Sequence, residues 1–455
     1  MYWRFVRLGI HLGGLVSLDA LASWGRYPKH PQTPHPVYWP DELEGAIDAA
    51  VTARSTRTLA FGLGRSYGDS CMAESDHVVV TRGMDRILAV DWEEGVVRAQ
   101  AGLTLAELIR VALPRGWFPS VTPGTKFVTL GGAVANDVHG KNHHVMGTFG
   151  NHVKRLRIYR TDEGIVECTP NLRSELFNAT IGGLGLTGIV LDVELQLRPV
   201  SSANLAQRSI KFGDLNEFFA LSAQYDDHHE YAVAWVDCIA TGRHTGRGHY
   251  IVGDHARDGL LGEVDVSARR MPFDPPVSLV TGLSLRAFNT LYYHRQRRKS
   301  VASVVGYDSF FYPLDKLLDW NRIYGRAGFQ QYQCVVPDTN APDAIKAVLA
   351  QISTSGTGSF LAVLKRCGNV PSPGLLSFPL PGVSLALDFP QKDAVNKKLF
   401  SRLDALVHEA GGRLYPAKDA HMGSTYFQQA YPQWTQLEAL RDPRLMSRFW
   451  HRVTQ

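Results

Sequence analysis

The rhythm of apolar and polar positions changes near residue 200. Before it, strand-like and helix-like runs alternate. "DHVVVTRG" and "ILAVDWEEGVVRAQAG" read as strands, the second as a hairpin turning at Glu93, Glu94 and Gly95. "LTLAELIRVALPRG" then switches to helical spacing. Thr104 and Glu107 make a capping box, Leu103 and Leu108 are placed as its staple, and Gly116 is placed to end the helix. After residue 200 come widely separated strand-like runs: "EYAVAWVDC", "FQQYQCVVP", "SFLAVLKRC" and "GVSLALDFP". Helical stretches such as "APDAIKAVLAQIS" lie between them. This predicts a second domain built on a larger antiparallel sheet. The tail, "STYFQQAYPQWTQLEALRDPRLMSRFWHRV", returns to helix and is expected to pack back on the first domain.

At 455 residues the chain holds two or three domains of ordinary globular composition. Its charge of +5 is mild for 48 Lys+Arg against 43 Asp+Glu. That suits an anionic ligand or a membrane surface and does not argue for a nucleic-acid binder. The excess has one local focus, Arg295 to Lys299, read either as a solvated loop or as a basic patch for an anionic headgroup. Five scattered cysteines without a C-x-x-C pair argue against a disulfide scaffold and a zinc ribbon, and point to a reducing compartment. The first 24 residues imitate a signal peptide, but His11 and Asp19 interrupt the apolar run. A buried or interfacial helix, or an overlong start, fits them better. No other segment reaches the ~20 apolar residues of a membrane span, so membrane contact would be peripheral.

Three glycine-rich segments fall in the first 190 residues. "FGLGRSYGDS" has its third glycine one residue late for a dinucleotide fingerprint and lacks the ending of a P-loop. Gly62, Gly64 and Gly68 still allow close backbone approach and N–H groups that converge on an anion. "PGTKFVTLGGAVANDVHGKN" runs through Gly131 and Gly132 into Ala133, Val134 and Ala135, and "IGGLGLTGIVLDVELQL" leads into a strand. Together the three suggest a large phosphate-bearing cofactor. The second runs on into three clustered histidines, His139, His143 and His144. These admit metal binding, proton chemistry or a purely conformational role. A metal site is disfavoured, because Gly140 follows His139 and no acidic residue lies between His139 and His143 as in H-E-x-x-H.

The stretches "GLGRSYGD", "PGTKFVTLGGAVANDVHGKNHHVMGTFGNHV", "GLGLTGIV", "WNRIYGRAGFQQYQ", "LSFPLPG" and "GGRLYPAKD" occur in order over nearly the whole chain. In them the chain resembles FAD-linked oxidases of the vanillyl-alcohol-oxidase type, and among these the decaprenylphosphoryl-β-D-ribose 2'-oxidases. The resemblance implies an α+β fold: an FAD-binding domain from residues 1–199 and 411–455, and a substrate domain, 200–410, over the flavin ring. It implies FAD contacts at Gly62, Leu63, Gly64, Arg65, Ser66, Tyr67, Gly68 and Asp69. It also implies them at Gly124, Thr129, Leu130, Gly131, Gly132, His139, Gly140, Lys141, Asn142, Ile189 and Tyr415. Many relatives carry a flavin-linked histidine where this chain has Arg65, so FAD is expected to be noncovalent. No metal is expected.

Oxidising an alcohol needs a group for the hydroxyl proton and a group to offset charge on the reduced cofactor. Lys418 is the first candidate for either, and by composition alone it would be a surface lysine paired with Asp419. His139 is the second, with His143 and His144 as supporting residues. Trp235, Gln331, Gln333 and Lys365 are carried as substrate contacts; Gln331 and Gln333 share one strand face. Some relatives have cysteine at Ala386 and asparagine at Ser384, so that thiol is not needed for turnover. The implied reaction oxidises the 2'-hydroxyl of a polyprenylphosphoryl-β-D-ribose to a 2'-keto product. An NAD(P)H-dependent short-chain reductase would complete the epimerisation, quinone or oxygen would take the electrons, and the site of action would be the cytoplasm or the inner face of the plasma membrane. The alternatives are an FAD-dependent oxidase of a soluble sugar, alditol or aldonolactone, and a non-enzymatic nucleotide- or phosphate-binding module.

Overall fold

The computed structural model describes residues 21–51, 55, 57–262 and 268–455. The signal-like segment at the N-terminus lies almost wholly outside them.

Two strand systems organise the first 200 residues. Thr33–Pro36, His77–Val80 and Leu59–Phe61 form a small parallel sheet with His77–Val80 in the middle. A second, antiparallel sheet runs Ile87–Asp91, Val96–Gln100, Ile189–Pro199, Val153–Arg160, Gly164–Cys168, with Trp117–Pro119 also pairing to Ile189–Pro199. The expected hairpin is present, and Gly95 turns it at a positive φ of 67°. The expected helix is Leu105–Ala112. Thr104 Oγ1 accepts the Glu107 N–H, Glu107 accepts the Thr104 N–H, and Leu103 and Leu108 are buried. One tight turn follows, and Gly116 closes it in the left-handed conformation.

After residue 200 the chain builds one antiparallel sheet of eight strands. Their order is Ser300–Gly306, Asn204–Phe212, Gly248–His255, Tyr231–Val236, Val363–Cys367, Gly382–Pro390, Phe329–Pro337 and Arg413–Leu414. All four strand-like runs read from the sequence are in it. "SFLAVLKRC" enters only at Val363, because Ser359 Oγ accepts the N–H groups of Leu361 and Asp388 and shapes a turn ahead of the strand.

Strand side chains alternate between faces. On one face Tyr332, Cys334, Val336, Leu364, Leu385, Leu387 and Phe389 are buried in one apolar cluster with Ile345, Val348 and Leu349 of helix Ala341–Thr354. Leu399, Phe400 and Leu403 of helix Asp393–Glu409 belong to the same cluster. The opposite face is polar, and it meets the glycine loops of the first 190 residues.

The tail forms helices Ser424–Ala430, Trp434–Leu440 and Arg448–Thr454. It bonds to early residues: Thr58 N–H donates to Arg444 O, Met446 N–H to Thr58 O, and Arg448 N–H to Met72 O. Arg413–Leu414, just before, joins the edge of the eight-stranded sheet.

Candidate active site

Register fixes the polar face. Gln331 lies opposite Asp388, Gln333 opposite Ala386, and Val335 opposite Ser384. Ala386 in turn faces Val363, which faces Trp235, while Ser384 faces Lys365. One row therefore reads Trp235, Val363, Ala386, Gln333, flanked by Lys365 with Ser384 and by Gln331 with Asp388. Gln331 Nε2 donates to Asp388 Oδ1 at 2.7 Å.

The second glycine loop fastens to this face at two points, and Tyr415 of the tail at a third. Lys365 Nζ donates to Gly140 O at 2.8 Å, Gln333 Nε2 lies 3.2 Å from His139 Nε2, and Tyr415 N–H donates to Gln333 O at 3.0 Å. His139 packs tilted against both Phe378 and Tyr415, at ring distances of 5.4 and 5.3 Å, beside the stack that those two rings make at 4.6 Å. Tyr415 Oη donates to Asn136 O. Asp137, at a positive φ of 39°, accepts from Gly150 N–H and from the hydroxyls of Ser372 and Ser377. So the aspartate two residues before His139 is the anchor that aims it.

Lys418 sits with its Nζ 3.7 Å from the Tyr67 ring centroid. Among the described residues it makes no ion pair, which removes the reading of a surface lysine paired with Asp419. Asp419 is instead held by Arg452, which also binds Asp69 at 2.7 Å. Lys365 is buried and Lys141 and Lys418 are half-buried, and none of the three has a carboxylate within ion-pair distance among the described residues. Burial pushes Lys418 and Lys141 down to about 7 and lowers Lys365. Burial pushes Asp388 up to about 7, opposed by the Gln331 hydrogen bond and the Lys418 charge. His139 is held well below its ordinary value by burial, then by Lys365, His143 and Lys418, so it is neutral.

The sequence-predicted residues divide. His139, Gly140, Tyr67, Lys418, Gln331, Gln333, Lys365 and Tyr415 gather in one place. Trp235 shares the row with Gln333, but its indole N–H donates to Phe360 O and its ring packs on Tyr292 at 4.5 Å. Lys141 Nζ is bonded to Phe310 O. Asn142 Nδ2 donates to Ser120 O, and Asp69 is paired with Arg452. Leu130 and Ile189 are core residues whose neighbours carry the loops. His143 is buried against His139, while His144 Nε2 meets His229 O. Asp388 and Phe378 were not singled out from sequence. Asp388 is two residues beyond Ala386, so the period of two along "GVSLALDFP" carried its signal.

The residues fit FAD. In "GLGRSYGD" the backbone N–H groups of Leu63, Gly64, Arg65 and Ser66 find no acceptor among the described residues, and Gly64 turns left-handed at φ 60°. Such successive donors around an αL residue are an anion cradle. Gly62 lies against Thr129, where a Cβ would overlap Oγ1, and Gly68 lies against Asp419 O. Thr129 Oγ1 accepts the Gly132 N–H and caps helix Leu130–Ala135, whose Gly131 packs on Ala101, while Gly124 is open. His139 Nδ1 is buried without a partner, as an atom turned to a ligand would be. Arg65 is fixed over the Trp24 ring at 4.0 Å and donates to Phe127 O. Among the described residues no cluster of His, Cys, Asp and Glu could hold a metal.

Comparison with known proteins agrees with this geometry. Residues 36–169 match the family of FAD binding domains. The chain is 34% identical over 448 residues to a decaprenylphosphoryl-beta-D-ribose oxidase of Mycolicibacterium smegmatis, covering 93% of this chain and 94% of that one. It is 35% identical to an uncharacterized Streptomyces coelicolor protein, over 75% of this chain and 96% of that one. L-gulonolactone oxidase of Bos taurus is 28% identical over 36% of this chain and 38% of its own length. An FAD-binding part, a large antiparallel cap sheet and a collinear relative over nine-tenths of the chain identify it as an FAD-dependent oxidoreductase that belongs to the decaprenylphosphoryl-β-D-ribose oxidase family of the vanillyl-alcohol-oxidase type.

Proposed function

We propose that the protein oxidises the 2'-hydroxyl of a polyprenylphosphoryl-β-D-ribose to the 2'-keto sugar, the first half of an epimerisation to the arabinose donor. The observation that carries this reading is a set of three lysines with no carboxylate partner among the described residues: Lys365 is buried, and Lys141 and Lys418 are half-buried. A neutral polyol would give such cations nothing to pair with, and burying a charge without a partner is costly. A phosphodiester on the sugar supplies the counter-charge. The name of the Mycolicibacterium smegmatis relative points to the same substrate.

In this reading residues 1–199 and 411–455 carry FAD and residues 200–410 close over it, with Arg413–Leu414 stitching the two together. FAD, when bound, accepts the hydride of the carbinol carbon. It is held noncovalently, since Arg65 stands where a linking histidine would be. Gln331, Gln333 and Ser384 present amides and a hydroxyl to the sugar. Lys365 and Lys141 meet the phosphate end. Lys418 either takes the hydroxyl proton as a neutral amine or, charged, steadies the negative charge left at the site. His139, held neutral, packed against Phe378 and braced by Gln333, orients the reacting centre. A short-chain NAD(P)H-dependent reductase consumes the keto product, and quinone or oxygen takes the electrons. No helix among the described residues is long and apolar enough to cross a membrane, and the contact proposed with the inner face of the plasma membrane is peripheral.

The visible spectrum of the purified protein tests this under anaerobic conditions. The flavin bands should bleach with a short-chain polyprenylphosphoryl ribose and persist with soluble alditols, sugars and aldonolactones. Bleaching by the soluble polyols at equal or higher rate would replace this substrate with the soluble class.

A further inference from the structure

From Pro275 to Tyr307 the chain carries Arg286, Arg295, Arg297, Arg298 and Lys299 and no Asp or Glu. Its five cations equal the net charge of the whole protein. The same segment holds the most exposed large apolar side chains of the described surface. Helix Gly282–His294 presents Leu283 and Leu291 to solvent at 81% and 73% exposure, two turns apart on one face with Ala287 between them. Its other side is packed: Leu285 and Asn289 are buried, Phe288 meets Phe360, and Tyr292 lies on Trp235. Val277 and Leu279 precede it, also exposed. Ser300–Gly306, the free edge strand of the eight-stranded sheet, follows with Val301 and Val304 exposed.

Large apolar side chains exposed together in one segment mark an interaction site. Its outer helix face is leucine, and the turn beyond it is basic. Lys299 pairs with Glu217 and Arg295 lies over Tyr292, but Arg297 and Arg298 have no acidic partner among the described residues. Exposed leucines followed by a basic turn, with no acidic residue in the segment, complement anionic headgroups above acyl chains. The position is equally telling. From Leu291 the path inward runs through Tyr292 to Trp235, and Trp235 heads the row that ends at Gln333.

We infer that helix Gly282–His294, the Arg295–Lys299 turn and edge strand Ser300–Gly306 form a docking surface for an anionic lipid bilayer. The surface sets the Trp235 end of the substrate row against the membrane. This deepens the reading of a lipid-linked substrate and rests on it for its purpose, though not for its observations. A headgroup entering along Trp235 would reach Gln333 while its prenyl chain stayed in the bilayer below Leu283 and Leu291.

The test is co-sedimentation of the FAD-loaded full chain with vesicles of phosphatidylglycerol and phosphatidylcholine, or of phosphatidylcholine alone. The wild type should bind the anionic vesicles and release them at high salt. Arg297→Gln with Arg298→Gln should weaken that binding about twenty-five-fold, at roughly fivefold for each cation near the surface. Leu283→Glu with Leu291→Glu should abolish it. Both variants should retain flavin bleaching by the short-chain soluble substrate, which shows that they are folded. Equal binding to neutral vesicles, or variants that bind as the wild type does, overturns the surface. So does a wild-type dimer that Leu283→Glu with Leu291→Glu converts to monomer, since the face would then be covered by a second copy. If vesicles bind but no ribose substrate bleaches the flavin, the substrate reading fails and the surface stands.

Discussion

Asp388→Asn isolates the charge that sets the protonation of Lys418. Asparagine keeps the shape and can still bond Gln331, so the perturbation is the loss of one negative charge beneath the site. Burial pushes Lys418 down to about 7; Asp388 opposes that shift and Arg65 adds to it. Burial pushes Asp388 up to about 7, with Lys418 among the opposing causes. Near neutrality the two therefore exchange between a charged and an uncharged pair. Without Asp388, burial and Arg65 act unopposed and Lys418 titrates lower. An opposite charge at close range is worth about 1–3 pKa units, or about 1.4–4 kcal/mol. The assay is the pH profile of single-turnover flavin bleaching by a soluble short-chain substrate. If Lys418 accepts the hydroxyl proton as a neutral amine, the acid limb moves down by about one unit or more, and the variant outpaces the wild type in mild acid. If its ammonium steadies developing charge, the alkaline limb moves down instead, and the variant fails at neutral pH. Either shift identifies the role. Limbs that coincide with those of the wild type, with flavin content unchanged, would refute the coupling.

His139→Ala should slow bleaching or weaken FAD retention, whereas a chelator should change neither; a chelator effect on turnover would revive the metal reading. Arg452→Ala leaves the buried Asp69 carboxylate without its cation and Asp419 with His421 alone, so thermal melting should show a loss of about 3–5 kcal/mol, with FAD released as the "GLGRSYGD" loop loosens. Ala386 is partly exposed on the polar face between Gln333 and Val363, so Ala386→Cys should retain turnover and gain a thiol that substrate protects from alkylation. His421 gives a pH-dependent stability. Burial alone would lower its pKa, but Asp419 and Asp404 raise it above the ordinary 6.5. Its stabilisation is therefore complete below 6.5 and lost as pH rises through the raised value, and denaturant titrations of His421→Gln should lack that decline.

The sheet strands, the capped helix at Leu105 and the returning tail were legible because each writes its period into the sequence. Near residue 200 alternating short elements yield to long runs of period two, and the first strand of the eight-stranded sheet starts at Asn204. Individual side chains were legible only as far as the strand rule reaches. It placed Gln331 and Gln333 on one face, and applied again it would have placed Asp388 with Ser384. The jobs of Asp69, Asn142 and Trp235 were not legible, because they depend on partners 383, 22 and 125 residues away. No local pattern encodes which distant partner a polar group will meet. The same holds for Asp137, whose capture by Ser372 and Ser377 turns a histidine-rich loop into a rigid mount for one histidine.

The places where ordinary rules of folding fail are concentrated at this mount. Among the described residues three lysines, one buried and two half-buried, lack carboxylates, His139 keeps a ring nitrogen unpaired, and Asp137 holds a positive φ. Each lowers stability, and the apolar face of the same sheet, packed on two helices, offsets them. A chain selected for stability alone would replace those lysines with aliphatic residues. Their retention, on a face that the glycine loops cover but do not satisfy, is the physical form of a requirement for an anionic ligand. The polar row, the free N–H groups of "GLGRSYGD" and the depressed lysines are then one feature: a protein surface left incomplete until a negatively charged cofactor and a phosphorylated sugar supply its missing partners.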